Sequence, residues 1–341
     1  MHIVVTGATG RIGSVLMETL PRDPRVRSVT GIARRVENRS APKTYYVSAD
    51  VAVEPLAPLF EGADAVVHLA WQFQPERRPD ELWSTNVLGS RRVFDAIRQA
   101  GVPRLVYASS FGVYAPREGV TPVDESFATT GYSTSLYSRH KAEVERRLDE
   151  FEGRYEGFGI ARLRPVATLA PSAASQLVER IAGAMPGSAI DEAVLRVARQ
   201  IARAPLQVAH AFDVAAAFHL AAIHDVRGAF NIAPRAPRVH ESNATLAPSG
   251  IMTKAASLAL RLRLSRHDRN LVDLAANAPL LDDGRAQRVL GYCAEYSTER
   301  VLAGALCSLR AGDRSPRDLW AWPPTAQLSN SAHVSVHYPT S

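Results

Sequence analysis

A glycine triplet set between an apolar run and a helix-patterned stretch constrains this chain more than any other feature. Ile3-Val4-Val5-Thr6 reads as a strand, and Gly7-Ala8-Thr9-Gly10-Arg11-Ile12-Gly13 follows at once. Apolar residues at helical spacing then run from Ile12 to Leu20. A strand that turns this sharply into a helix gathers the helix's unpaired N–H groups at one point, where they favour an anion. Glycines serve the tight turn, the close approach of a pyrophosphate to backbone, and the helix–sheet contact. The spacing is Gly-x-x-Gly-x-x-Gly, not the commoner Gly-x-Gly-x-x-Gly. It is the placement between strand and helix that makes Gly7, Thr9, Gly10, Arg11, Ile12 and Gly13 candidates for a dinucleotide phosphate site.

The choice of dinucleotide is expected about 20 residues further on, at the end of the second strand. A carboxylate there binds the ribose 2′-hydroxyl of NAD, whereas arginine accommodates the 2′-phosphate of NADP. The segment reads Gly31-Ile32-Ala33-Arg34-Arg35, with no acid between Asp23 and Glu37. Arg34 and Arg35, helped by Arg11, therefore favour NADP, with NAD the alternative.

Further strand-like runs lie at Val26 to Ile32, Tyr45 to Val47, Ala65 to Leu69 and Leu105 to Ala108. A helical pattern covers Leu82 to Ala100, where Val87, Val93, Phe94 and Ile97 share one face. Strands alternating with helices imply βαβ units and an α/β, doubly wound parallel sheet. After about Pro165 the alternation weakens. Residues 174–202, Ala211 to Ile223 and 254–276 look helical, Ala229 to Ile232 looks like a short strand, and 234–250 reads as a loop. The expected division is a dinucleotide-binding domain over 1–170, a mainly helical substrate-binding region over 171–320 interleaved with that core, and a loose tail over 321–341.

A formal charge of +6 raises nucleic acid as a partner, but the arginines are scattered among acids and form no basic block. An anionic small molecule accounts for the excess equally well, so no nucleic acid is expected. The two cysteines, Cys293 and Cys307, fit no metal-ligand spacing and make no disulfide framework. There is no apolar run of about 18 residues, and the opening residues carry no basic-then-apolar leader. No membrane partner is expected, and the cytoplasm is the expected compartment.

Tyr137-Ser138-Arg139-His140-Lys141 opens a helical stretch. At i and i+4 the two functional side chains stand on one face, about 5–6 Å apart at Cβ. A free tyrosine, with a pKa near 10, is a poor proton carrier at neutral pH. A neighbouring lysine cation and an oxidised nicotinamide both favour its phenolate, which makes the pair a general acid/base beside a hydride donor. A Tyr-x-x-x-Lys pair gains its weight from Leu105-Val106-Tyr107-Ala108-Ser109-Ser110, a strand that ends in hydroxyls where α/β sheets present their ligand crevice. Ser110 is placed to donate to a substrate oxygen.

With these parts in order, the chain resembles the extended short-chain dehydrogenase/reductases, in particular the NAD(P)-dependent epimerase/dehydratase group. The motifs are the glycine loop, Asp50-Val51, His68-Leu69-Ala70, Asn86, the Ser109-Ser110-x-x-Val113-Tyr114 run, Tyr137-x-x-x-Lys141 and Arg164-Pro165. The match is good to about residue 170 and thinner through Phe212-Asp213-Val214-Ala215 and Gly228-Ala229-Phe230-Asn231-Ile232. The resemblance implies Gly7, Gly10 and Gly13 at the pyrophosphate, Asp50 and Val51 at the adenine, and Leu69 and Ala70 along the cofactor cleft. It also implies Ser110 as catalytic serine (Ser109 being its neighbour), Tyr137 as acid/base, Lys141 on the nicotinamide ribose and Pro165 near the nicotinamide. Asn86 matches a helix asparagine of the group and equally fits a structural hydrogen-bonder. A homodimer through the helices at 79–100 and 133–150 is a further implication.

The departures bear on the substrate. Ala115-Pro116 stands where the group usually has glycine, and Ala170-Pro171 where it has a Gly-Pro turn. Residues 171–250 hold no clear set for a diphosphate sugar. His210 falls where substrate contacts often lie, although a lone histidine is more often structural. Phe111-Gly112 replaces the Asp-Glu pair that sugar dehydratases place there. The expected activity is an NADP(H)-dependent oxidoreductase acting on an alcohol or ketone carbon of a small molecule. The alternatives are an epimerase with a self-recycling cofactor and a non-catalytic dinucleotide-sensing regulator.

Overall fold

Alternating burial along the first strand sets the layers. In the computed structural model β1 (His2–Thr6) sends Ile3 and Val5 into one apolar cluster and Val4 into another, all fully buried. The same alternation recurs as Val67 against Val66, and as Val106 against Leu105. A strand covered on both faces has to be apolar on both, and each such side chain contributes about 1.5–3 kcal/mol. The structure describes residues 1–36, 41–72, 78–116, 119, 121–155, 157–169, 207–234, 274 and 277–301. The helices expected over 174–202 and the tail over 321–341 lie outside the described residues, as do all but Leu274 of the helix at 254–276, all but Pro234 of the loop at 234–250, Ala170-Pro171 and Cys307.

Among the described residues the sheet has seven strands, all parallel. β2 (Ser28–Ala33), β3 (Thr44–Ser48), β4 (Ala65–His68), β5 (Arg104–Ala108), β6 (Gly159–Pro165) and β9 (Gly228–Ile232) join β1 in the order β3-β2-β1-β4-β5-β6-β9. This is the doubly wound order, in which the chain reverses direction across the sheet between β1 and β4 and opens a crevice at the strands' carboxyl ends. β7 (Ala167–Leu169) and β8 (Val208–His210) form a separate parallel pair.

One face is covered by α1 (Arg11–Thr19) and α6 (Ala211–Ile223), whose Val15, Leu16, Val214 and Phe218 enter the same cluster. Short α2 (Ala57–Phe60), α4 (Gly89–Gln99) and α5 (Leu136–Arg154) cover the other through Phe60, Val93, Ile97, Val144 and Leu148. The region beyond residue 170 thus supplies both a covering helix and the seventh strand.

The pattern over Leu82 to Ala100 predicts one continuous helix, and the structure differs there. α3 (Pro79–Trp83) reaches α4 through wider turns at Ser84–Leu88. The Ser90 hydroxyl donates to the Asn86 carbonyl at 2.6 Å, taking an acceptor from the helical ladder. Such local widening is a common feature of helices near functional sites.

Candidate active site

The glycine loop is built as the sequence predicts. Gly7 has φ +74°, a left-handed conformation that glycine adopts without strain. A Cβ added to Gly7 would stand 2.7 Å from the Ala70 nitrogen, and one on Gly13 would stand 2.3 Å from the Gly7 carbonyl. No side chain caps α1 at Gly10, and its first intrahelical N–H donor is Ser14, so three N–H groups are left at the turn. The loop is also fastened to β2, because the Ile32 carbonyl accepts from Gly7 at 2.8 Å and from Ala8 at 3.2 Å. Arg34 and Arg35 therefore follow the loop's own anchor by two and three residues. Both are exposed, and neither they nor Arg11 pairs with a carboxylate among the described residues.

Asp50 and Val51 follow β3 in a turn closed by the Asp50 carboxylate, which accepts from the Ala52 nitrogen at 2.9 Å. Arg92 ties this turn down by donating to the carbonyls of Val51, Val53 and Glu54. Leu69 and Ala70 leave β4 beside Gly7, and Thr6 stands behind them. The Ala70 N–H donates to Thr6 Oγ1, whose own hydroxyl reaches His68 Nδ1 at 2.7 Å. His68 Nε2 lies 3.0 Å from Ser90 Oγ, whose proton is given to Asn86. This arrangement fixes the imidazole as the Nε2–H tautomer, and burial pushes its pKa down to about 3.

Asn86, matched to a cofactor position, spends both ends of its carboxamide on backbone. Its Oδ1 accepts from the Gln72 N–H at 2.7 Å and its Nδ2 donates to the Gln72 carbonyl at 3.0 Å. It fixes the turn that leaves β4. Pro165 is buried at the end of β6, paired in register with Ile232.

β5 ends at Ala108, and the two serines then part company. The Ser109 hydroxyl donates to buried Glu145 of α5. Ser110 Oγ accepts from the Gly112 N–H at 3.0 Å, opening a single helical turn over Phe111–Val113, and lies on the same side of Gly112 as the Tyr137 ring. Gly112 makes room for this, since a Cβ there would lie 3.1 Å from the Tyr137 ring. Ser135 caps α5 by accepting from Ser138, which places Tyr137 in the first turn and Lys141 one turn on. Lys141 Nζ donates to the Ala108 carbonyl at 2.6 Å. Burial raises Tyr137 to about 12, opposed by the Ser110 hydrogen bond, and lowers Lys141 to about 7, opposed by the charge of Glu145. The three residues expected to act together stand together at the carboxyl end of β5.

Two groups escaped the sequence reading. Trp71 lies edge-on to the Tyr137 ring, with centroids 5.9 Å apart, and its own ring faces the Lys141 ammonium at 3.5 Å. Behind Lys141, Glu145 pairs with Arg164, which also donates to Tyr114 Oη at 3.0 Å. Tyr114 in turn donates to Asn231 of β9 at 2.6 Å. His210 is structural here, capping α6 through Phe212 and stacking on Tyr296 at 4.2 Å. Asp213, in the first turn of α6, holds the backbone of Glu295 and Tyr296.

A model of the NAD dependent epimerase/dehydratase family matches residues 3–233. The chain belongs to this family. It is 36% identical over 114 residues to an L-arabinose 1-dehydrogenase (NAD(P)(+)) from Haloferax volcanii, a stretch covering 33% of this chain and 42% of that protein. It is 28% identical over 178 residues to a UDP-glucose 4-epimerase from Yersinia enterocolitica, covering 48% of this chain and 52% of the relative. The matched stretch thus spans about half the length of these relatives or less. Among solved structures, MoeE5 in complex with UDP-glucuronic acid and NAD superposes with a TM-score of 0.62 at 24% identity, covering 92% of this chain and 100% of that one. This last likeness is one of fold. Among the described residues no helix is long and apolar enough to cross a membrane.

Proposed function

We propose that this protein is an NADP(H)-dependent oxidoreductase acting on an alcohol or ketone carbon of a small molecule. The observation that carries the reading is the meeting of Ser110 and Tyr137 around Gly112, with Lys141 one helical turn further along α5. The dinucleotide fits the site, because Gly7 and Gly13 let the loop close against the backbone of Ala70 and Ala8, and no side chain caps the start of α1. Gly7, Gly10, Gly13 and the free N–H groups of α1 would hold the pyrophosphate. Arg34, Arg35 and Arg11 support the 2′-phosphate of NADP, lying exposed beside the loop that Ile32 anchors, with no carboxylate partner among the described residues.

When bound, the nicotinamide exchanges a hydride with the substrate carbon. Ser110 orients the substrate oxygen by hydrogen bonding. In the reducing direction the Tyr137 phenol, held neutral by burial, gives its proton to that oxygen as it gains charge. In the oxidising direction Tyr137 must first lose its proton, which the adjacent Lys141 cation favours. Phe111 and Gly112 supply no acid or base beside Ser110, which speaks against a dehydratase.

Transient oxidation by the same residues would serve an epimerase, and the likeness to a UDP-glucose 4-epimerase over 48% of the chain favours that as a second reading. One preparation separates the two. The protein is purified without added cofactor, assayed for bound dinucleotide, and then mixed with NADPH or NADP⁺ and a panel of free sugars and simple ketones. Net turnover that Tyr137→Phe abolishes supports the oxidoreductase. Tightly retained dinucleotide with no net turnover supports the epimerase, and turnover unchanged in Tyr137→Phe overturns both.

A further inference from the structure

We propose that Trp71 is a positioning residue for Lys141, its indole face holding the lysine ammonium where it meets the dinucleotide's ribose. The inference rests on the reading of Lys141 as a ribose-binding group. It starts from the donor inventory of the ammonium, which has three N–H bonds and no acceptor. One N–H goes to the Ala108 carbonyl at 2.6 Å, and the face of Trp71 takes a second direction at 3.5 Å from the ring centroid. The Tyr107 ring lies further off, at 5.2 Å. That leaves one N–H to offer a ligand hydroxyl.

Lys141 is almost wholly buried, and the nearby carboxylate, Glu145, is already engaged by Arg164 and Ser109. A negative quadrupole on the face of an aromatic ring is an inexpensive way to hold a cation in such a place. A second carboxylate there would neutralise the lysine and occupy its remaining donor. The indole attracts the ammonium and forms no competing hydrogen bond to it.

The indole is itself held still. Its ring edge meets Tyr137, and the residue after it, Gln72, is clamped at both backbone groups by Asn86 from the widened turns of the neighbouring helix. Trp71 is only partly buried, so it stands at the boundary between the core and the crevice.

The test is a double-substitution cycle read by calorimetric titration of the full chain with NADPH and with NADH. Trp71→Leu removes the ring face, Trp71→Phe keeps one, and Lys141→Met removes the cation. Trp71→Leu is expected to weaken dinucleotide binding roughly two- to thirtyfold, the range of cation–π contacts from exposed to desolvated. Trp71→Phe should recover most of the loss, and Trp71→Leu should cost nothing further in the Lys141→Met background. Unchanged or tighter binding by Trp71→Leu overturns the proposal, and so does equal weakening in both backgrounds, which marks a role independent of the lysine. If Lys141→Met alone leaves binding intact, it is the ribose-binding reading of Lys141 that fails.

Discussion

Glu145 and Arg164 form an enclosed ion pair, with Arg164 Nε 2.9 Å from one carboxylate oxygen and an Nη 2.5 Å from the other. The side chains are 3% and 6% exposed, so water screens neither. The pair joins α5 to β6 directly behind the triad. Removing one partner leaves the other charged and buried, which typically costs 3–5 kcal/mol. Arg164→Met should lower unfolding stability by about 4 kcal/mol in urea titrations. The double substitution Arg164→Met, Glu145→Leu should restore part of that.

Gly13→Ala is expected to abolish dinucleotide binding. The new methyl would sit 2.3 Å from the Gly7 carbonyl, a backbone atom that cannot swing away. The loop must open, at a cost of at least about 2 kcal/mol as for other overpacked sites. Fluorescence titration with NADPH and NADH should give no saturation, while circular dichroism reports a folded protein. Wild-type affinity in the variant would sink the assignment of the loop.

Arg34→Ala and Arg35→Ala should each weaken NADPH while leaving NADH nearly unchanged. A charge-assisted hydrogen bond to a phosphate is worth about 1.5–3 kcal/mol, so the expected loss is roughly tenfold or more. Parallel titrations with the two nucleotides check it, and an equal effect on both would remove the basis for NADP preference.

His68 should make the fold acid-sensitive. Burial holds the imidazole neutral with its pKa down at about 3, against an ordinary value of 6.5. Between those values the unfolded chain binds a proton that the folded chain refuses, so stability falls as pH drops through the window. Wild type should lose up to about 1.4 kcal/mol per pH unit below 6.5 relative to His68→Gln. Urea midpoints of the two proteins between pH 7 and 4 measure it, and parallel curves would refute a neutral His68.

The motifs that lie within a few residues of one another were legible in the sequence. The glycine loop, the serines ending β5 and the Tyr137–Lys141 pair each depend on local spacing, and the sheet brought them together as the strand alternation required. Trp71 was not legible, because its contact with Lys141 joins the end of β4 to α5 across 70 residues. Nor was the network from Ser109 through Glu145 and Arg164 to Tyr114 and Asn231, since charges carry no mark of which partner they will meet. Asn86 was visible as a motif residue, but its commitment to the Gln72 backbone depends on the widened turns that Ser90 creates. His210 has a position in the sequence and, in the fold, a cap and a stacking partner instead of a free face.

The seventh strand gives the chain an order of assembly. Ile232 pairs with Pro165 and Phe230 with Leu163, yet β9 is made more than sixty residues after β6. A nascent chain that has emerged only as far as β6 therefore carries an unpartnered sheet edge, with the Arg164 network lacking its Asn231 terminus. Cutting the chain after β6 would leave that edge bare and Tyr114 without the Asn231 acceptor, so the later residues complete the sheet on which the first half's crevice is built.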